Sequence, residues 1–174
     1  MENRIIIPLD LDYSQAINIA KTLDPNICRL KVGSQLFTSS GPKVIKELHS
    51  LGFDIFLDLK FHDIPNTVAG AIKAILHLQP YMLTVHLSGG YDMLMKANDI
   101  VSEYCLKNAI KRPKILGVSV LTSLDDNDFS SLGIKGRVED QVIRLAKLAK
   151  DAGLDGLVSS AKELKIIRKE INNV

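Results

Sequence analysis

The sequence predicts an α/β protein in which helices cover a parallel sheet. Short β-branched runs alternate with segments of helical periodicity along the whole chain. The runs are continuously apolar, which is typical of strands buried on both faces of a parallel sheet. Polar or charged residues end each run, and in a (β/α)8 barrel that end of the strands is the active-site face. We therefore expect a TIM-barrel fold with about six of its eight βα units in one incomplete domain, residues 1–174.

The first unit pairs a strand over Ile5–Asp10 with a helix whose predicted N-cap is Ser14. Pro8 removes one hydrogen-bond donor from the strand, which is tolerable near an edge or a bulge. The apolar face of the helix carries Ile17, Ala20 and Leu23.

The remaining units repeat this order. Pro42 and Pro65 suit the first turn of a helix, and Gly52 and Gly153 suit its end. A polar loop, residues 122–137, follows the fifth strand. The other predicted strands are Cys28–Val32, Ile55–Leu59, Met82–His86, Lys114–Leu121 and Gly156–Ser159. The other predicted helices cover residues 42–51, 65–78, 91–108, 138–152 and 161–171.

Composition and missing motifs exclude several classes of protein. The net charge of +2 is too small to indicate a nucleic-acid partner. No apolar window is long enough to span a membrane, and the N-terminus lacks a signal-peptide pattern. Cys28 and Cys105 are far apart and have no metal-site spacing, so we expect reduced thiols and a cytoplasmic protein. Neither GxGxxG nor GxxxxGK[ST] occurs, so the best known nucleotide-binding signatures are missing.

Two charges of opposite sign project from the third strand. With a period of two, Asp58 and Lys60 share one face of this strand, and the apolar residues between them face the other way. An isolated buried charge is costly, so each charge needs a partner. We expect Lys31, Asp58, Lys60 and Asp63 to form a network that keeps a lysine protonated.

Other strands also end in polar groups. A single such residue is more often structural than catalytic, and this holds for His86 taken alone. A polar group after each of six successive strands is harder to attribute to chance. The further residues in this position are Asp10, Lys31, Thr122, Ser123, Ser159 and Ser160.

The segment from Asp58 to Thr67, DLKFHDIPNT, fits the pattern DxKxxDIPxT and resembles the orotidine 5'-phosphate decarboxylase family. Related sugar-phosphate decarboxylases and synthases share DxKxxD, whereas the IPNT that follows points to the orotidylate enzyme. The resemblance to the bacterial form covers essentially the whole chain in order. It includes LD (9–10), RLKVG (29–33), GFD (52–54), VHLSGG (85–90), VSVLTS (118–123) and GLDG (153–156).

At matching positions, this resemblance implies that Lys60 is the proton donor to C6 of the pyrimidine. Asp58 would face the departing carboxylate, and Lys31 would orient Asp58 and contact the ribose. Asp10 would bind a sugar hydroxyl, and Thr122 would lie near the base.

The resemblance also implies a homodimer with a shared site, in which Asp63 and Thr67 reach into the partner's pocket. The implied catalytic residues are Lys60, Asp58, Asp63 and Lys31. The implied substrate contacts continue through Ile64, Pro65 and Asn66. The expected ligands are orotidine 5'-phosphate and UMP, with no metal and no organic cofactor.

The chain departs from the family beyond its sixth unit. The family's seventh strand carries Pro-Gly-Ile-Arg before a mobile phosphate-binding loop, and its eighth carries Gly-Arg. Pro-Gly-Ile-Arg does not occur here, and the one Gly-Arg pair, at 136–137, lies in the loop after the fifth predicted strand. We expect a form truncated at the C-terminus. It is a gene fragment or frameshift product, a chain given without its C-terminal part, or a short protein that completes its sheet with another chain.

Three alternative functions stay open. One is a magnesium-dependent relative of 3-keto-L-gulonate 6-phosphate decarboxylase. Another is an inactive remnant of the orotidylate enzyme. A Schiff-base aldolase that uses Lys60 is disfavoured, because Asp58 and Asp63 favour a charged lysine over the neutral amine.

Overall fold

Six parallel strands pair in chain order in the computed structural model, which describes residues 5–171. Residues 1–4 and 172–174, including the N-terminus and the C-terminal end discussed above, lie outside the described residues. The strands are β1 (Ile5–Pro8), β2 (Cys28–Gly33), β3 (Ile55–Phe61), β4 (Met82–His86), β5 (Lys114–Val118) and β6 (Gly156–Val158). The helices are α1 (Tyr13–Ala20), α2 (Ser34–Ser40), α3 (Pro42–Ser50), α4 (Pro65–Ile75), α5 (Tyr91–Asn108), α6 (Asp126–Ser131), α7 (Val138–Asp151) and α8 (Leu164–Glu170). Two short 3-10 turns cover Leu76–Leu78 and Leu87–Gly89.

The strand order confirms the predicted fold class. The order runs from β1 to β6 without reversal, as in successive units of a (β/α)8 barrel, whereas a doubly wound sheet reverses its order at a switch point. All five pairings are parallel, and β1 and β6 are the outer strands of the described sheet. Pro8 therefore lies on an outer strand, where its missing N–H is tolerated as predicted.

The core lies between the sheet and its helices. Leu30, Leu57, Leu83 and Ile115 are fully buried on four successive strands. The apolar stripes of the helices cover this row, for example Val68 and Ile72 of α4. Full burial of such a side chain contributes about 1.5–3 kcal/mol relative to exposure. The helix pattern in the sequence therefore fixes one face of each helix against the sheet.

The start of α1 differs from the prediction. Asp12, not Ser14, is the N-cap, because its carboxylate accepts a 2.9 Å hydrogen bond from the Gln15 N–H. The Gln15 side chain accepts in return from the Asp12 N–H, which completes a capping box. The helix ends at Ala20, so Leu23 packs on the core from outside it.

Several predicted boundaries were wrong by a few residues. β1, β5 and β6 end earlier than predicted, at Pro8, Val118 and Val158, and β3 extends to Phe61. The last helix covers only Leu164–Glu170. Ends of strands depend on pairing with a neighbour, which the local pattern does not contain.

Two short helices were not predicted. α2 occupies the segment between β2 and Pro42, and α6 lies within the predicted loop. At the start of α6, Asp125 accepts hydrogen bonds from the N–H groups of Asn127 and Asp128, at 2.8 and 3.0 Å. Phe129 then packs into the core, so one buried aromatic anchors an otherwise polar segment.

Within residues 5–171, the structure contains no helix with both the length and the apolar character needed to cross a bilayer.

Candidate active site

The site begins at an irregularity in β3. Leu57 pairs with Leu83 of β4 and Phe61 pairs with Val85, so four steps along β3 oppose two steps along β4. Lys60 lies inside this bulge with a φ of 51°, in the left-handed backbone region that residues other than glycine rarely adopt. Bulges of this kind redirect a side chain, and they are frequent next to active sites.

Four charged side chains meet at the ends of the first three strands. Lys60 Nζ lies 2.7 Å from Asp58 Oδ2, and Lys31 Nζ lies 3.7 Å from the same oxygen. Lys31 Nζ is also 3.3 Å from Asp10 Oδ1. The result is a chain of alternating charge, Asp10, Lys31, Asp58, Lys60, in which each lysine has a carboxylate partner.

Asp58 is the most buried member of this network. Its side chain is 9% exposed, against 22% for Lys31 and 36% for Lys60. A buried carboxylate requires compensation, and here two ammonium groups share Oδ2. The other oxygen, Oδ1, accepts a 2.9 Å hydrogen bond from the hydroxyl of Thr84. Both oxygens of the carboxylate are therefore engaged.

A histidine pair lies beside the lysine. The rings of His62 and His86 have centroids 5.2 Å apart and are tilted by 41°. Burial lowers the pKa of His86, and the nearby His62 and Lys60 lower it further, while Asp58 has the opposite effect. His86 at the end of β4 is thus favoured in its neutral form.

Asp63 does not join the network, contrary to the prediction. It lies in the exposed turn before α4, and its Oδ1 accepts a 2.6 Å hydrogen bond from the N–H of Ile64. Ile64 is the N-cap residue of α4, with no side-chain cap. β3 ends at Phe61, before Asp63, so Lys60 and Asp63 do not lie on a common strand face. Asp10 takes the place in the network that was predicted for Asp63.

The start of α4 is open at the surface. Ile64 is 67% exposed, Asn66 and Thr67 are exposed, and Pro65 is partly buried. Within the described residues, these side chains form no hydrogen bond or ion pair with the network.

The predicted polar groups after the fifth and sixth strands are not brought into the network either. Thr122 and Ser123 are exposed and lie four and five residues beyond the end of β5. The Ser159 hydroxyl donates to the carbonyl of Ser160, and the Ser160 N–H donates to Glu163. These residues carry local hydrogen bonds or face solvent.

Sequence reasoning missed Thr84 as a member of the site. It is the only polar side chain in the run Met82–Val85, and it is fully buried. On β4 it shares the face of His86, two residues further on. A single threonine inside a buried strand was the signal available in the sequence, because a buried hydroxyl needs a partner.

A cavity of about 770 Å³ opens at the opposite end of the sheet. Its lining includes Asp54 and Tyr81, which precede β3 and β4, and none of the four network residues. In barrels of this type that end contributes to stability, whereas chemistry occurs at the carboxyl ends of the strands. The charged network is therefore the better candidate site. Among the described residues, no group of three or more His, Cys, Asp or Glu side chains is arranged to bind a metal ion.

Comparison with known proteins adds family information. A model of the orotidine 5'-phosphate decarboxylase/HUMPS family matches residues 3–173. The orotidine 5'-phosphate decarboxylase of Pseudoalteromonas translucida is 48% identical over 169 residues, which are 97% of this chain and 70% of that relative. The enzyme of the same name from Vibrio cholerae is 44% identical over 169 residues, again 97% of this chain and 71% of the relative.

A solved structure agrees with these matches. The crystal structure of orotidine 5'-phosphate decarboxylase from Lactobacillus acidophilus superposes with a TM-score of 0.90 at 38% identity. The superposition covers 99% of this chain and 78% of that one.

Proposed function

This chain belongs to the orotidine 5'-phosphate decarboxylase/HUMPS family, and we propose that its charged network decarboxylates orotidine 5'-phosphate to UMP in pyrimidine biosynthesis. The observation that carries the proposal is the Lys60 ammonium, 2.7 Å from a buried carboxylate that it shares with Lys31. This arrangement supplies a fixed cation and a transferable proton at one point.

The chemistry requires such a cation. When the bond between C6 and the carboxylate carbon breaks, CO2 leaves and the electron pair stays on C6 as a carbanion with little delocalisation. An ammonium group next to C6 stabilises this charge as it develops. Lys60 then donates a proton to C6, which forms the C6–H bond of UMP and leaves a neutral amine.

Asp58 acts on the substrate carboxylate. Its position beside Lys60 brings its negative charge close to the departing group, which disfavours the bound substrate relative to the transition state. The Lys31 and Lys60 ammonium groups offset the negative charge of the Asp58 carboxylate. Lys31 orients Asp58 and contacts the ribose, and Asp10 binds a sugar hydroxyl.

The residues after the bulge act in a second copy of the chain. Asp63 and Thr67 are exposed and outside the network, and Ile64 places a large apolar side chain in solvent beside them. Their exposure supports a homodimer in which this turn and the first turn of α4 complete the partner's site. Pro65 and Asn66 belong to the same surface, and Thr122 contacts the base from the loop after β5.

The state of the two thiols supports a cytoplasmic location. Cys28 and Cys105 are free and buried, and burial raises the pKa of both. Asp24 raises the pKa of Cys28 further, whereas Arg112 acts in the opposite direction on Cys105. Unpaired, unreactive thiols of this kind fit a reducing compartment.

The direct test uses the 174-residue chain as it stands. It is incubated with orotidine 5'-phosphate, with and without EDTA, and UMP is separated by anion-exchange chromatography. We expect UMP at a rate that EDTA does not change. No UMP, together with Mg²⁺-dependent release of CO2 from 3-keto-L-gulonate 6-phosphate that EDTA abolishes, would favour the metal-dependent sugar-phosphate decarboxylase. A chain that releases no UMP, and elutes as aggregate on a sizing column, would be an inactive remnant.

A further inference from the structure

We infer that Thr84 is a positioning residue, whose hydroxyl fixes the geometry between Asp58 and Lys60; its role in turnover rests on the proposed function. Thr84 is fully buried in β4, and its hydroxyl contacts two parts of β3. It accepts a 2.9 Å hydrogen bond from the backbone N–H of Lys60 and donates a 2.9 Å hydrogen bond to Asp58 Oδ1.

The first contact gives the backbone N–H of Lys60 a hydrogen-bond acceptor within the bulge. Between Leu57 and Phe61 the regular pairing of β3 with β4 is interrupted. Within this interruption the Thr84 hydroxyl accepts the hydrogen bond of the Lys60 N–H. It thereby stabilises the left-handed backbone that aims the Lys60 side chain at the site.

The second contact orients the carboxylate of Asp58. A hydroxyl has one proton, and Thr84 donates it to Asp58 because the Lys60 N–H can only donate. This bond fixes which oxygen of Asp58 faces β4. The other oxygen, Oδ2, is directed at the ammonium groups of Lys60 and Lys31. One hydroxyl therefore controls the backbone of the proton donor and the rotation of its partner.

The test compares two substitutions of Thr84 in the full chain. Thr84→Val keeps the shape and removes the hydroxyl, whereas Thr84→Ser keeps the hydroxyl. We expect Thr84→Val to lower kcat by about 10- to 100-fold with KM nearly unchanged, because Thr84 orients the reacting groups without touching substrate. Thr84→Ser should restore kcat to within about threefold of the unmodified chain.

A control tests whether loss of a threonine hydroxyl outside the network affects turnover. Thr22→Val removes an exposed hydroxyl that donates to the carbonyl of Ile19 near the end of α1. We expect kcat to be unchanged in this variant. Equal kcat values for Thr84→Val and the unmodified chain, or a kcat for Thr84→Ser as low as that of Thr84→Val, would overturn the inference.

A second measurement requires neither turnover nor a folded Thr84→Val variant. Amide hydrogen exchange in the unmodified chain should show the Lys60 N–H exchanging at least about tenfold more slowly than the N–H of exposed Asp63. Similar exchange rates for the two amides would overturn the contact with Thr84. An unmodified chain that fails to produce UMP contradicts the proposed function instead, and leaves this exchange result as the test of the Thr84 contact.

Discussion

Lys60 and Asp58 are joined by a 2.7 Å ion pair that depends on a bulge in β3 rather than on regular strand geometry. The backbone of Lys60 is left-handed, with a φ of 51°. A residue held in such a conformation costs about 1–3 kcal/mol, which the surrounding contacts must offset. The ion pair and the hydrogen bond from the Lys60 N–H to Thr84 are two of those contacts.

The backbone strain predicts an unusual ranking of variants. Lys60→Gly should have a larger free energy of unfolding than Lys60→Ala, by about 0.5–1 kcal/mol, because glycine adopts positive φ without a steric cost. Urea denaturation of both variants measures the difference. At Lys73, inside α4, the same pair of substitutions should rank the other way, with alanine more stable. Equal stability of the two Lys60 variants would contradict a left-handed backbone there.

Removal of the proton donor should abolish most turnover. Lys60→Ala is expected to lower kcat/KM for orotidine 5'-phosphate by at least about 10³-fold, since it removes both the cation and the proton. Lys147→Ala, at an exposed lysine of α7, is the control and should keep full activity. Steady-state production of UMP by the purified variants measures the effect. Near-normal turnover in Lys60→Ala would assign the proton transfer to another group.

The charge of Asp58 should stabilise the fold as well as the site. Asp58→Asn keeps the shape but leaves two ammonium groups without their shared counter-charge, so we expect a loss of about 2–3 kcal/mol in the free energy of unfolding. Asp54→Asn is the control, because Asp54 is 56% exposed and its 3.4 Å pair with Arg29 should contribute at most about 1 kcal/mol. A more stable Asp58→Asn would mean that the cost of burying the carboxylate exceeds its attraction to the two lysines.

A shared site predicts complementation between subunits. Lys60→Ala and Asp63→Ala chains, each nearly inactive alone, should recover activity when refolded together. With random pairing, half of the dimers are mixed and each mixed dimer has one intact site, so about a quarter of full activity is expected. If the refolded mixture is no more active than the two variants measured separately and added together, Asp63 acts within its own subunit.

Neutral His86 should make stability depend on pH. Burial, His62 and Lys60 lower the pKa of His86 in the folded state. Between the ordinary value of about 6.5 and this lower pKa, the unfolded chain therefore binds a proton at His86 that the folded chain does not bind. The contribution of His86 to the free energy of unfolding is therefore complete above the ordinary value and is lost as pH falls toward the folded-state pKa. His86→Gln should reduce the slope of stability against pH in this window, measured by urea denaturation. An NMR titration of the folded chain with a His86 midpoint at or above about 6.5 would contradict the downward shift of its pKa.

Much of the fold was predictable because its signals are local. The alternation of apolar runs with amphipathic segments predicted all six strands and their parallel pairing. Ends of elements were less predictable. Asp12 and Ser14 are both good N-cap residues, and Asp12 is the one that forms a capping box with Gln15. α6 depends on a single buried aromatic, Phe129, whose burial no local pattern indicates.

In the site, the charges and their places at the strand ends were predictable, because Asp10, Lys31, Asp58 and Lys60 follow from apolar runs that stop at polar residues. The folded arrangement of the strands settles which of these side chains meet. It replaced Asp63 by Asp10 in the network and brought in Thr84, which is 24 and 26 residues from its partners. The physical reason is that side-chain alternation is a property of one strand, whereas a bulge and its repair depend on hydrogen-bond register between two strands distant in the chain.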